Sequence, residues 1–372
     1  MSIPDKIQTW QMIKGPVFDK EAGKITAPGV MERTEIPVPE LDKGEVLVEI
    51  AGCGVCHTDM SYFYDGVPTV TKPPLTLGHE ISGTVVAAGP GGESWMGKNV
   101  IVPAVMPCNN CDICAKGRGN RCLAQKMPGS SLGIYGGFAS HIPVPSEDLC
   151  VIEDLKGRPL ENYAVVADAV TTPYQAAIRA EISAGDPVLV TGLGGVGMYM
   201  AQMAKGFGGK PVIGIDINDE KLQRALKLGA VDYVINSKGK DFKAIQEEFR
   251  AIAKEVGIKP NIGWKIFECT GVGAAQELAL GFLGFIGKLV IVGFGTQKTS
   301  YMMSRLMAFD AEVIGTWGCL PKYYPQVLEM VQSGKVQIDP LLETRPMSTI
   351  GKAFEEAHSG TNMNRIVLMP DF

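Results

Sequence analysis

Four cysteines, Cys108, Cys111, Cys114 and Cys122, fall within one short loop, CNNCDICAKGRGNRC, as C-x2-C-x2-C-x7-C. Thiolates two residues apart on a tight turn reach the same ion, and four of them complete the closed tetrahedral shell of structural zinc. A disulfide cluster is the competing reading, but it needs an oxidising compartment, and the first residues do not look like a signal peptide. An iron–sulfur centre also uses four thiolates, so spacing alone leaves it open. Lys116, Arg118 and Arg121 lie in the same loop and offset the charge of a four-thiolate site.

A second set of metal-binding side chains lies upstream. Cys56-His57-Thr58-Asp59 follows one strand-like run, and Gly78-His79-Glu80 opens another. Cysteine and histidine both suit zinc, and a catalytic site needs three protein ligands with one position left open. The chain has only four histidines, His57, His79, His141 and His358. A lone histidine is more often structural than a ligand; the company of Cys56 and Thr58 is what singles out His79.

A third motif binds phosphate. Directly after PVLVT comes Gly192-Leu193-Gly194-Gly195-Val196-Gly197, at the point where a helix should open. GxGxxG alone is weak evidence, but between a strand and a helix it has a mechanism. Gly192 permits the tight turn, Gly194 lets a pyrophosphate approach the backbone, and Gly197 allows close helix–strand packing. Gly195 and Val196 present amides at the helix N-terminus, which favours anions. Asp216 ends the next strand near the expected offset of about 20 residues, where a carboxylate holds both ribose hydroxyls and repels a 2′-phosphate. Ile217 and Asn218 come next and supply no arginine for such a phosphate. NAD is therefore expected over NADP.

These motifs need two kinds of scaffold. At 372 residues the chain is too long for one compact core and suits two domains. Its 45% hydrophobic and 20% charged composition is ordinary for a globular protein, and a net charge of −5 argues against non-specific nucleic-acid binding. No apolar run approaches the roughly 20 residues of a membrane span. From about 45 to 150, short runs such as EVLVEI, ISGTVVAAG, KNVIVPA and FASHIPV are broken by Gly and Pro, which suits an irregular β-rich domain. From about 185 to 316, PVLVT, PVIGID, DYVIN, WKIFE, KLVIVG and AEVIGT alternate with helical patterns, the signature of a doubly wound parallel α/β sheet. The last fifty residues lack that alternation and are expected to return to the first domain, with the active site in the cleft between the two.

With these residues in view, the chain resembles the zinc-dependent medium-chain alcohol dehydrogenases over essentially its whole length. The likeness rests on GVCHTD around Cys56, GHE around His79, the four-cysteine lobe, GLGGVG and Asp216. It implies an α/β fold in which a GroES-like β-rich catalytic domain, residues 1–169 and 317–372 with the zinc lobe at about 105–123, is interrupted by a Rossmann domain at 170–316. It implies two zinc ions per subunit, a small-molecule substrate and homo-oligomers (dimers or tetramers); the zinc rather than disulfide reading of the cysteine loop leads to a cytoplasmic setting as the expectation. Cys56 and His79 would ligate catalytic zinc, Thr58 would bond the substrate oxygen and start a proton relay, and Glu80 would stand behind the metal. His57 and Arg365 would meet the cofactor pyrophosphate, and Lys221 would lie beside the adenine ribose.

The chain departs from the family pattern twice. Where the third zinc ligand is often cysteine, in a segment like ACAGVTVY, this chain has ADAVTTPYQA, which puts Asp168 in its place. Asp168 as a helix cap is the bland alternative, but Thr172 before Pro173 is the better cap. The relay histidine five residues after the first zinc cysteine is replaced by Ser61, with Tyr62 next to it. A polyol dehydrogenase is one reading of the acidic ligand. The Asp168 context and TWGCLPKYYPQVLEMV also resemble dehydrogenases that oxidise 6-hydroxycyclohex-1-ene-1-carbonyl-CoA to its conjugated ketone in anaerobic aromatic degradation, which would make the substrate a CoA thioester. Lys298, Arg305 and Lys322 are then candidates for its phosphates. A non-catalytic dinucleotide-binding protein on this fold is the remaining class, and the two metal sets argue against it.

Overall fold

The computed structural model describes residues 4–372, and the chain divides into two compact units. The first runs up to Thr171 and takes back Gly318–Glu329 and Ile338–Phe372; the second holds Thr172–Trp317 and Met330–Gln337.

The frame of the first unit is a mixed sheet in the order Cys150–Val151, Asn99–Val102, Glu80–Ala88, Glu45–Gly54, Arg365–Met369 and Leu342–Pro346, with His141–Pro145 also pairing to Glu45–Gly54. Its core is aliphatic and aromatic: Val46, Val48, Ile81, Val100, Phe138 and Phe354 are buried. Glu45–Gly54 carries register shifts between Leu47 and Val48 and between Ile50 and Gly52 against its neighbour. Such bulges bend a strand and re-aim the chain beyond it, here the helix His57–Phe63. A second sheet, Val30–Pro37, Lys6–Lys14 and Leu75–Thr76, packs on the same core.

The second unit is a six-stranded parallel sheet in the order Tyr233–Asn236, Val212–Asp216, Val188–Thr191, Lys265–Glu268, Lys288–Ile291 and Glu312–Gly315. All six expected strands are present, alternating with helices that include Gly197–Gly206, Asp219–Lys227, Phe242–Glu255 and Gly273–Phe282. Strand order reverses beside Val188–Thr191, and that switch point is where open α/β sheets bind ligands.

Residues 330–337 depart from the expected return to the first unit. Gln337 N donates to Gln202 Oε1 at 2.8 Å and Gln202 Nε2 donates to Gln337 O at 3.2 Å, while Val331 and Val336 are buried. Those paired amides and buried valines hold the segment against the helix Gly197–Gly206. Among the described residues no helix is long and apolar enough to cross a membrane.

Candidate metal and dinucleotide sites

The cysteine lobe closes around a single point. Cys122 Sγ lies 3.4 Å from Cys108 Sγ, Cys111 Sγ lies 3.6 Å from Cys114 Sγ and 3.7 Å from Cys122 Sγ, and Cys108 and Cys114 are 4.0 Å apart. A tetrahedron with zinc–sulfur bonds of about 2.3 Å has sulfur–sulfur edges of roughly 3.8 Å. The sulfurs are too far apart for disulfides and too close together for a multi-iron cluster. Backbone N–H groups of Cys114 and Ile113 point at Cys111 Sγ, drawing its thiol down to about 7 and preparing the thiolate. Burial and its three neighbours push Cys114 the other way, to about 11. The four sulfurs compete for protons, and one cation relieves that competition.

Cys56, His79, Glu80 and Asp168 form the second cluster, their ligand atoms all within 4.8 Å of one another. Asp168 Oδ2 is 3.8 Å from Cys56 Sγ and 3.5 Å from His79 Nε2. These separations match the edges of a tetrahedron around one zinc, given metal–ligand bonds of about 2.0 to 2.3 Å. His79 is 1% exposed, and neither ring nitrogen has a hydrogen-bond partner of good geometry. Burial disfavours its imidazolium, but Asp59, Cys56 and Asp168 more than offset this and raise its pKa well above the usual value. The pocket is an anionic cage that attracts a cation, and its donor set fits zinc.

Local sequence explains how the cage forms. Cys56 caps the helix His57–Phe63, and Asp59, three residues on, accepts from Cys56 N at 3.0 Å. The other oxygen of Asp59 accepts from Gly78 N at 3.1 Å and lies 3.5 Å from His79 Nδ1. A fully buried carboxylate thus ties these two loops together and faces the imidazole, in the place that partners behind metal-bound histidines occupy. In the sequence Asp59 stands out only as part of a motif; its place at N3 of a helix beginning at a ligand is the available signal.

Asp168 comes directly after the 3-10 helix Leu160–Ala167, and the next helix, Thr171–Ala180, starts one residue before the expected Thr172 cap. Thr172 is helical, and Pro173 falls in the first turn. Thr58 is half-buried with its hydroxyl 3.7 Å from Cys56 Sγ, at the edge of the cluster. His57, beside it, is exposed.

Glu80 is fully buried in a two-pronged ion pair with Arg365, whose Nε donates to Oε2 at 3.1 Å and whose Nη2 donates to Oε1. Arg365 is the expected pyrophosphate contact; its guanidinium is 8% exposed and engaged by Glu80. A Cβ on Gly54 would stand 2.0 Å from Glu80 Oε2, so glycine is required there. Ser61 is buried with its hydroxyl donating to His57 O at 3.1 Å, and Tyr62 is nearly buried, its hydroxyl held by Ser130 and its pKa raised by burial.

In the second unit, Gly192 has φ +84°, which only glycine adopts easily, and a Cβ on Gly197 would sit 1.7 Å from Gly192 O. A Cβ on Gly194 would meet nothing within 4 Å, so its backbone faces open space. Gly195 and Val196 complete the turn, with Val196 capping the helix Gly197–Gly206. Asp216 accepts from Leu193 N at 2.7 Å and Asn218 N at 2.9 Å, which fixes the carboxylate over this loop. It lines a cavity of about 570 Å³ with Gly192, Ile217, Lys240, Thr270 and Val272. Lys221 does not line the cavity; its backbone N–H is capped by Asn218.

Residues 42–154 match the alcohol dehydrogenase GroES-like domain, and residues 195–333 match the zinc-binding dehydrogenase domain. An alcohol dehydrogenase of Geobacillus stearothermophilus is 32% identical over 341 residues, 91% of this chain and 95% of that protein. The chain belongs to the zinc-dependent medium-chain alcohol dehydrogenase family. The dehydrogenase is also 27% identical to a sorbitol dehydrogenase of Bombyx mori over 343 residues, 90% of this chain and 94% of that one. Among solved structures, an acetophenone reductase from Geotrichum candidum in complex with NAD superposes with a TM-score of 0.80 at 25% identity, covering 99% of this chain and 98% of that one. A GroES-like domain and a Rossmann domain make up the fold, and the enzyme acts on CH–OH donors.

Proposed function

We propose that this dehydrogenase oxidises a secondary alcohol or polyol to the ketone with NAD, in the cytoplasm, using Cys56, His79 and Asp168 to hold catalytic zinc and the four-cysteine lobe to hold a structural one. The observation that carries this reading is the convergence of Cys56, His79 and Asp168 in one buried anionic cage. Zinc bound there supplies Lewis-acid polarisation of a carbinol oxygen. Thr58, beside Cys56, would accept a hydrogen bond from the substrate hydroxyl and relay a proton by giving up its own, and Gly192, Gly194 and Asp216 would hold the dinucleotide that supplies the hydride acceptor. Ser61 and Tyr62 have their hydroxyls engaged elsewhere, which leaves Thr58 as the residue that would begin proton release. The likeness to an alcohol dehydrogenase, a sorbitol dehydrogenase and the structure of an acetophenone reductase supports the broad substrate class.

The narrower reading is oxidation of 6-hydroxycyclohex-1-ene-1-carbonyl-CoA, and it rests on the segment likeness around Asp168 and TWGCLPKYYPQVLEMV. Of its candidate phosphate contacts, Lys298 is exposed, Arg305 stacks on Tyr301 and Phe309, and Lys322 lies over Tyr323. The test is steady-state turnover of a secondary alcohol, a polyol and the CoA ester, each with NAD and NADP. Greatest kcat/KM for the CoA ester would establish the narrow reading, and its absence with polyol turnover would reject it. Wild type should prefer NAD, with Asp216→Ala narrowing the gap; a wild type preferring NADP removes the argument from Asp216.

We further propose a homo-oligomer assembled through the second unit. Glu312–Gly315 is an edge strand with Val313 42% exposed, and Ile286, Met302, Met303 and Met307 are each more than half exposed. An apolar edge of this kind attracts a partner strand. A monomeric mass by light scattering would exclude it.

A further inference from the structure

The third ligand of the cage comes from a segment poorly equipped to hold a side chain in place. Asp168 lies at the C-terminal end of a 3-10 helix, with φ −143° and ψ −57°. Short 3-10 helices have weaker hydrogen-bond geometry than α-helices, and their last carbonyls lack partners within the helix. A metal ligand at such a point needs external support.

That support is Tyr324, the first residue of the helix Tyr324–Gln332. Its side chain is completely buried, and its hydroxyl donates to Ala167 O, the carbonyl of the peptide that joins Ala167 to Asp168, at 2.5 Å. The same hydroxyl accepts from Ala104 N at 3.2 Å. Ala104 lies two residues beyond the strand Asn99–Val102, whose Val102 pairs with Ile81 next to Glu80 and His79. One phenol therefore links the peptide that carries Asp168 to the sheet that carries His79. Thr171 Oγ1 is a second donor to Ala167 O, at 3.1 Å. Burial holds the Tyr324 hydroxyl well above its usual pKa, so it stays protonated and able to donate.

We propose that Tyr324 is a positioning residue for the catalytic metal, setting the distance between Asp168 and His79 through the Ala167 carbonyl. The inference rests on Asp168 being a zinc ligand. Tyr324 touches neither substrate nor cofactor in this role, and its hydroxyl acts only through the peptide before Asp168. Removing a group that orients a metal ligand typically weakens metal binding or activity by about 10- to 100-fold.

The test is Tyr324→Phe, which keeps the ring and removes the hydroxyl. With the zinc-loaded enzyme, release of the catalytic ion to excess chelator should be roughly 10- to 100-fold faster, with the cysteine-lobe ion released at the wild-type rate. The visible absorption of a cobalt(II)-substituted catalytic site should change, and kcat should fall by more than KM changes. Wild-type release of the catalytic ion, or equal acceleration for both ions with a lowered Tm, would overturn the proposal. Should Tyr324→Phe fail to fold, Tyr324→Met, which keeps an apolar side chain there and also lacks the hydroxyl, takes its place: faster release of the catalytic ion alone supports the clamp and unchanged release overturns it. Asp168→Ala separates the two levels of the argument. If it keeps both ions, the ligand assignment fails; if it loses the catalytic ion while Tyr324→Phe releases zinc normally, only the positioning role fails.

Discussion

Asp168→Ala is expected to reduce turnover by more than about 100-fold and to lower zinc content from two ions per subunit to one. A ligand contributes more than the partners that orient it, and losing one of those already costs about 10- to 100-fold. The remaining donors are Cys56 and His79, and two ligands fall short of the three that a catalytic site needs. Glu80 is the nearest replacement, but both its oxygens are engaged by Arg365 in a buried pair. Turning it toward the metal would strand a guanidinium that is 8% exposed, and breaking a buried pair costs on the order of 3–5 kcal/mol. Asp168→Asn retains the shape without the charge and should fall between the two. The measurement is metal analysis beside steady-state kinetics, with the cysteine lobe as an internal reference. Two retained ions and full turnover would pass the ligand role to Glu80.

The parts of this enzyme that can be read from sequence are those whose chemistry is local. The four cysteines are close along the chain, so spacing alone implies their convergence, and the same holds for the glycine turn and Asp216 on the neighbouring strand. Cys56 and His79 need company to be recognised, because neither motif alone specifies a metal. Asp59 and Tyr324 act across separations of 19 and 157 residues, on a backbone N–H and a backbone carbonyl that no motif announces. The pairing of Arg365 with Glu80 is hidden for the same reason, since it spans 285 residues. Secondary structure is illegible where polarity hides the pattern. The strand Lys6–Lys14 buries Ile7, Thr9 and Gln11, and the buried Thr9 and Gln11 break the expected apolar alternation. Arg365–Met369 is a short run buried on both faces, which periodicity does not distinguish from a helical fragment.

Cys111→Ala should remove the lobe's zinc and leave the catalytic ion in place. Structural sites contribute folding free energy directly, because a closed ligand shell forms only in the native chain. Three thiolates remain in the variant, with an open position that water enters, and the lobe has few other contacts to fall back on: its helix, Asp112–Ala115, is four residues long with no buried side chain. If the ion supplies on the order of 3 kcal/mol, Tm should fall by roughly 6–12 °C, taking about 2–4 °C per kcal/mol for a domain of this size. Cys111 is the informative choice because the N–H groups of Cys114 and Ile113 already favour its thiolate; cysteine replacement here also leaves those donors without their acceptor. Turnover well below the new Tm should stay near wild type, since the Cys56 cage shares no ligand with the lobe. Retention of two zinc ions with an unchanged Tm would show that the four sulfurs do not hold a structural metal. Loss of both ions together would show that the lobe and the cage fold as one unit.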